Sequence, residues 1–416
     1  MSSPFLGIVA DDLTGACDTA AQLATFGIAS LCSVRPKGPL PDWGKYDALA
    51  VNTQSRCMPG REAARAVRQG MGTLEKIGPR LYFKKIDTAL RGNIAEETLA
   101  AMESGFDTAI LVAAIPRIGR TTRGGRQFLW GHPLEETHLV KDDLNSTPFS
   151  TSRIPEVFSG FPGVRTIVVS VEALRKPGAC IPRLASSARE KIILIFDAET
   201  REDIDRIVRA ALRDDRRFLY IGSLGLMEAL AGTLKEEPGS SPPTAPILPG
   251  TPRRILIACG SPHPASRIQI DRLLSTGEAR DLPLSLRDLE TCFPGAAATE
   301  GNLLCMHLRP ERRETGTTID IPDRFAELVV RAVEKGERDC LILIGGETAY
   351  AVCRKLRIQT LETTAAFATV AAISKPRGKA QTPCSFIVTK GGSVGEPDIL
   401  VSLIKTLTKK EKTHAS

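Results

Sequence analysis

Three short stretches of this chain concentrate side chains that can do chemistry together. Asp11 and Asp12 stand side by side after the apolar run 5–10 and before Leu13–Thr14–Gly15. Asn52–Thr53–Gln54–Ser55–Arg56 closes the run 48–52 with hydrogen-bonding groups and a guanidinium. Lys84, Lys85, Asp87 and Arg91, followed by Gly92 and Asn93, put three cations and a carboxylate within eight residues. One carboxylate is enough to cap a following helix, which leaves its neighbour for general base work or for helping to hold a metal ion. Arg offers a carboxylate a bidentate fork, and Lys offers a point charge. Three polar segments of this kind in succession fit a site for a polyhydroxy acid better than three solvated loops.

The C-terminal part carries a second type of motif. The run 255–258 leads to Gly260–Ser261–Pro262–His263 with Ser266 beyond, 340–344 leads to Gly345–Gly346–Glu347–Thr348, and 386–389 leads to Lys390–Gly391–Gly392–Ser393. Glycine permits close backbone approach, and helix amino termini present free N–H groups to anions. As a set, these turns read as a phosphate cradle. There is no GxxxxGK[ST], no GxGxxG after the first apolar run and no GxSxG. P-loop, dinucleotide-binding and α/β-hydrolase chemistries are thereby disfavoured.

The elements that must position these groups are legible as short apolar runs at 5–10, 48–52, 81–85, 108–113, 166–170, 192–197 and 218–222. Amphipathic stretches with helical spacing lie between several of them, for example 18–26 and 62–71. Such alternation predicts βαβ units, with ligands bound outside the carboxyl ends of the strands. Residues 115–152 break the rhythm and read as a long functional loop, a lid or a dimer arm. Residues 235–253 contain six prolines among Gly and Ser and read as a linker. The expected architecture is therefore two α/β domains with mostly parallel sheets, residues 1–234 and 254–408. The Pro-rich linker 235–253 joins them, a basic tail occupies 409–416, and the reaction falls in the cleft between the domains.

Composition narrows the function classes. The chain has 416 residues, a formal net charge of +7, 42% hydrophobic residues and 5% aromatics. Few aromatics beside short basic clusters disfavour a nucleic-acid stacking surface. No apolar run approaches the roughly 20 residues of a membrane span. Asp11 and Asp12 come too early for a signal peptide, so a cytoplasmic location is expected. The ten cysteines form no CxxC pair and the five histidines show no metal-ligand spacing, so no protein-held metal site is expected.

At these residues the sequence resembles the four-carbon acid sugar kinases. Ala10–Asp11–Asp12–Leu13–Thr14–Gly15–Ala16 is similar to that family's opening motif, and Lys84–Lys85–Ile86–Asp87 with Leu90–Arg91–Gly92–Asn93 to its second signature. The segments running from Asn52 to Pro59, from Ala114 to Pro116 and from Gly119 to Thr122 look closest to the D-threonate kinase branch. The resemblance spans nearly the whole chain. It implies an N-terminal acid-sugar domain, a C-terminal ATP domain, and Mg²⁺-dependent phosphorylation of the terminal (C4) hydroxyl of a tetronate.

Within that scheme Asp12 is expected as the base, with Asp11 and Asp87 as alternatives. Arg91 and Lys85 clamp the substrate carboxylate, Asp87 orients the polyol, and Asp11, Asn52, Ser55, Arg56 and Asn93 complete the sugar site. By resemblance the ATP contacts fall on Ser261, His263, Ser266, Gly345, Gly346, Glu347, Thr348 and Gly392. The chain departs from the family's usual Ser–Cys–Ser and Ser–Gly–Gly–Phe–Gly runs, having Ser261–Pro262–His263 and Gly391–Gly392–Ser393–Val394–Gly395 instead. A kinase for D-erythronate or an oxo-tetronate, a lyase or aldolase using Lys85, and a sugar-acid sensor are the rival readings. A homodimer is compatible with such a surface.

Overall fold

The computed structural model describes residues 5–35, 43–137, 149, 151–183, 190–236, 250–291, 301–309, 320–336, 338–378 and 384–409. The chain divides into two compact units, Met1–Thr244 and Ala245–Ser416. Most of the Pro-rich stretch (237–249), residues 138–148 and 150 of the long loop, and residues 410–416 of the tail lie outside the described residues.

In the first unit the strands are β1 (Leu6–Ala10), β2 (Ser30–Ser33), β3 (Ala48–Asn52), β4 (Leu81–Lys85), β5 (Thr108–Val112), β6 (Arg120–Arg123), β7 (Arg126–Leu129), β8 (His132–Pro133), β9 (Val164–Val169), β10 (Lys191–Phe196) and β11 (Phe218–Gly222). Eight of them form one sheet in the order β2-β3-β1-β4-β11-β5-β10-β9, with every neighbouring pair parallel. The central strands are buried on both faces, which is why they read as continuous apolar runs. Helices α1 (Leu13–Ala24), α2 (Gly60–Ile77) and α3 (Ile94–Met102) follow β1, β3 and β4. On α2, Ala63, Val67, Met71 and Leu74 recur at helical spacing and are buried, and Gly78 ends the helix at a φ of 72°.

Register decides where the chemistry gathers. Ala10 stands level with Asn52 of β3 and Lys85 of β4, and Lys85 with Gly222 of β11. The three polar segments therefore leave the sheet at one height, side by side. β2 was not visible as an apolar run, because Ser30 and Ser33 bracket only two apolar residues.

The stretch expected as an aperiodic loop contains structure. β6, β7 and β8 form a small antiparallel sheet. Arg120 and Thr122 are buried while Arg123 is exposed, so the period of two is present but is carried by polar residues. Backbone pairing ties Thr122 to Ala198, and the N–H groups of Gly124 and Gly125 donate to the Asp197 carboxylate at 2.8 and 2.9 Å. The hairpin is thus fastened at the end of β10.

In the second unit β12 (Ile255–Cys259), β13 (Arg280–Leu284), β14 (Leu303–Leu308), β15 (Cys340–Ile344), β16 (Thr360–Phe367), β17 (Ala371–Arg377) and β18 (Phe386–Lys390) are ordered β13-β14-β12-β15-β18-β17-β16. The first five are mutually parallel, and β17 runs antiparallel to both of its neighbours. Ile344 stands level with Cys259 and Lys390, which aligns the three glycine turns. Each unit has its own apolar core. No helix among the described residues is long and apolar enough to cross a membrane.

Candidate active site

At the end of β1 both carboxylates are buried and occupied. Asp12 caps α1: its Oδ1 accepts from the Gly15 N–H at 2.7 Å, and its Oδ2 accepts from Thr14 Oγ1 at 2.7 Å. Gly15 is required here, because a Cβ at that position would stand 2.5 Å from Asp12 Oδ1. Arg56 reaches across from the loop after β3. Its Nε and Nη2 donate to Asp11 at 2.7 and 2.9 Å, and its Nη1 donates to Asp12 Oδ2 at 2.7 Å. One guanidinium therefore fixes both carboxylates. Burial alone pushes Asp11 up, but Arg56, Lys84 and Lys85 outweigh it and hold the carboxyl below its ordinary value.

β4 presents its two lysines differently. Lys84 is fully buried and forms an ion pair with Glu97 of α3 at 2.7 Å, while Ser55 Oγ donates to the other Glu97 oxygen at 2.7 Å. Burial raises the Glu97 carboxyl despite Lys84. Lys85 donates to the Ile86 carbonyl at 2.8 Å and is surrounded by Asp11, Asp12 and Asp87. Burial, aided by Arg56, lowers its pKa against the pull of those carboxylates. Asp87 accepts from Arg91 Nε at 2.5 Å. Burial opposes its ionisation, but Arg91, Arg56 and Arg120 hold it well below the carboxylate range.

The remaining expected residues brace the loop that carries Arg56. Asn93 Nδ2 donates to the carbonyls of Ser55, Arg56 and Met58 at 3.1, 3.4 and 2.8 Å. Asn52 donates to Val34 O at 2.9 Å and accepts from the Gln54 N–H at 2.9 Å. Gln54 and Leu90 adopt left-handed backbone conformations, with φ of 50° and 56°, in the two loops that flank the cluster.

In the second unit Ser261, His263, Ser266, Gly345, Thr348 and Gly392 come together where β12, β15 and β18 end. Ser266 Oγ donates to Gly392 O at 2.6 Å, and the His263 N–H donates to Ser261 Oγ at 3.3 Å. His263 caps the helix Pro264–Leu274, its Nδ1 accepting from the Ala265 N–H at 3.1 Å. Gly345 has a φ of 105° and caps the helix Gly346–Lys355 without a side-chain hydrogen bond. A Cβ on Gly392 would stand 2.1 Å from Ser261 Oγ, and one on Gly260 would stand 2.4 Å from Thr348 Oγ1. Bare backbone, hydroxyls and a helix amino terminus make a surface that accepts phosphate oxygens. Glu347 lies on the same first turn, exposed to solvent.

Eight of the nine residues expected in the first unit thus fall in one connected cluster, and Asn52 stands beside it, bonded to Val34 and Gln54. Two of its members were not foreseen. Glu97 lies inside a helix, where a glutamate reads as solvated, and Arg120 belongs to the hairpin.

The first unit thus gathers buried charges at its strand ends, and the second gathers glycine turns, hydroxyls and a helix amino terminus at its own. Comparison with known proteins gives the same division. A model described as a sugar-binding N-terminal domain matches residues 6–230, and one described as a nucleotide-binding C-terminal domain matches residues 256–400. The chain belongs to the four-carbon acid sugar kinase family. This membership removes the lyase and sensor readings. A D-threonate kinase of Salmonella typhimurium is 33% identical over 274 residues, which are 65% of this chain and 61% of that enzyme. A D-threonate kinase of Bordetella bronchiseptica is 28% identical over 431 residues, 99% of this chain and 100% of that one. A solved structure described as a putative tRNA synthase from Salmonella typhimurium shares the fold, with a TM-score of 0.73 at 19% identity over 98% of this chain and 100% of that one.

Proposed function

We propose that this protein is an ATP-dependent kinase that phosphorylates the C4 hydroxyl of D-threonate. The observation that carries the reading is the register-aligned cluster at the ends of β1, β3 and β4, in a chain that aligns over its length with a D-threonate kinase. The acid's hydroxyls meet Asp12 and Asp87, and its carboxylate meets the cations of the cluster. Phosphoryl transfer needs positioning and charge stabilisation more than covalent chemistry. The C4 oxygen attacks the terminal phosphorus, the bond from that phosphorus to ADP breaks, and Asp12 takes the hydroxyl proton. Asp12 Oδ1 receives only the Gly15 N–H among its described partners, so this oxygen retains a lone pair.

The glycine cradle of the second unit fits ATP because its backbone is bare where a Cβ would collide. Ser261, Gly345, Gly346, Thr348 and Gly392 are its phosphate contacts. Mg²⁺ arrives on the nucleotide, whose phosphate oxygens are the hard ligands that it favours. Among the described residues nine cysteines form no disulfide and seven of them are buried, which suits the reducing cytoplasm.

The test is ADP release from Mg-ATP with D- and L-threonate, D- and L-erythronate and oxo-tetronates offered singly. D-Threonate should stand well above the background without acid. A different acid standing highest would replace the substrate, and silence across the panel would overturn the kinase assignment.

A further inference from the structure

The cluster contains a cation that its ion pairs do not use. Arg120, the first residue of β6, is only 5% exposed, and its Nε has no hydrogen-bond partner among the described residues. Asp87 is its counter-charge and Arg91 its like-charged neighbour, yet Arg91 Nε already occupies Asp87 Oδ2. A buried guanidinium carries five donors, and leaving them without acceptors is costly. The charges in the cluster show the same imbalance. Arg56 serves Asp11 and Asp12, Lys84 serves Glu97, Arg91 serves Asp87, and Lys85 lies among Asp11, Asp12 and Asp87. Five cations face four carboxylates, and the surplus cation is the one whose Nε has no hydrogen-bond partner among the described residues.

We propose that Arg120 is the receptor for the substrate's carboxylate and that it selects acids over uncharged polyols. This inference rests on the sugar-acid reading above and assigns the clamp to a residue beyond Arg91 and Lys85. Its backbone is held in place by the hairpin. The Ile115 N–H donates to Arg120 O at 2.8 Å and the Arg120 N–H donates to Ile115 O at 3.2 Å, while Thr122 is bonded to Ala198 two residues further on. A buried guanidinium on a backbone held in this way binds a carboxylate at a reduced entropy cost for ordering a long side chain.

The experiment compares wild type with Arg120→Gln and Arg120→Lys in two measurements. Calorimetric titration of D-threonate in the absence of nucleotide should show at least tenfold weaker binding for Arg120→Gln, with partial rescue in Arg120→Lys. Steady-state kinetics should show the same rise in KM for D-threonate, a much smaller change in kcat and no change in KM for ATP. The wild-type preference for D-threonate over D-threitol, which lacks the carboxylate, should shrink by the same factor. Equal losses for threonate and threitol, unchanged affinity, or failure of both variants to fold would overturn the proposal. A wild type that binds D-threonate but never releases ADP would sink the kinase reading alone, and the titration would still judge Arg120. A wild type that does not bind D-threonate would sink the inference.

Discussion

Asp12 combines three contacts in one carboxylate: the amino terminus of α1, the Thr14 hydroxyl and the Arg56 guanidinium. Asparagine keeps the cap through its own oxygen but loses the charge and, being an amide, cannot take up the proton. Asp12→Asn should therefore lower kcat by roughly 10²–10⁴-fold while D-threonate affinity stays within a few-fold, read by initial rates and by titration. A near wild-type rate would move the base to Asp11 or Asp87. Lys84 poses a different question, since its ammonium is fully buried against Glu97. Lys84→Met leaves an unpaired carboxylate in the interior and should cost about 3–5 kcal/mol in urea unfolding, with much of the loss recovered in Lys84→Met/Glu97→Gln. An additive double variant would show that the two residues do not act as a pair.

At the scale of elements, the site is a consequence of strand register, and this is the part of it that the sequence made legible. Runs such as 48–51 and 81–83 are apolar because their strands are covered on both faces, so their ends could be located and the polar residues that close and follow them read as a group. The hairpin escaped because its alternation is Arg, Thr, Thr, Arg, which hydrophobic patterning cannot detect. β16 and β17 escaped for a related reason, with Thr363 and Ala365 flanking a bulge that interrupts the period. The hairpin's entry turn offers a test. Gly119 has a φ of 72°, and a Cβ there would stand 2.2 Å from the exposed ring of Trp130. Gly119→Ala should displace Arg120 and raise KM for D-threonate severalfold, leaving KM for ATP as it was; unchanged kinetics would separate the hairpin from the site.

At the scale of the whole molecule, two sheets with separate cores each end in one type of chemistry, charge pairs on the first and bare backbone on the second. The two-unit plan was legible because the Pro-rich stretch 235–253 interrupts the alternation of apolar runs and amphipathic stretches, which restarts beyond it. The hydrogen bonds that brace each turn were not, since Ser266 and Gly392 lie 126 residues apart. Gly392→Ala, crowding Ser261, should raise KM for ATP about tenfold or more without altering D-threonate binding, measured by varying each substrate against the other. A matching loss of acid affinity would contradict this division of labour. The distribution of thiols offers a practical use. Cys17, Cys32, Cys259, Cys305, Cys340, Cys353 and Cys384 are buried, whereas Cys57 is exposed and directly follows the arginine that grips both aspartates. With Cys180 and Cys292 changed to serine, a maleimide fluorophore on Cys57 would sit at the rim of the acid site, giving an optical signal of occupancy from a thiol that the protein already carries.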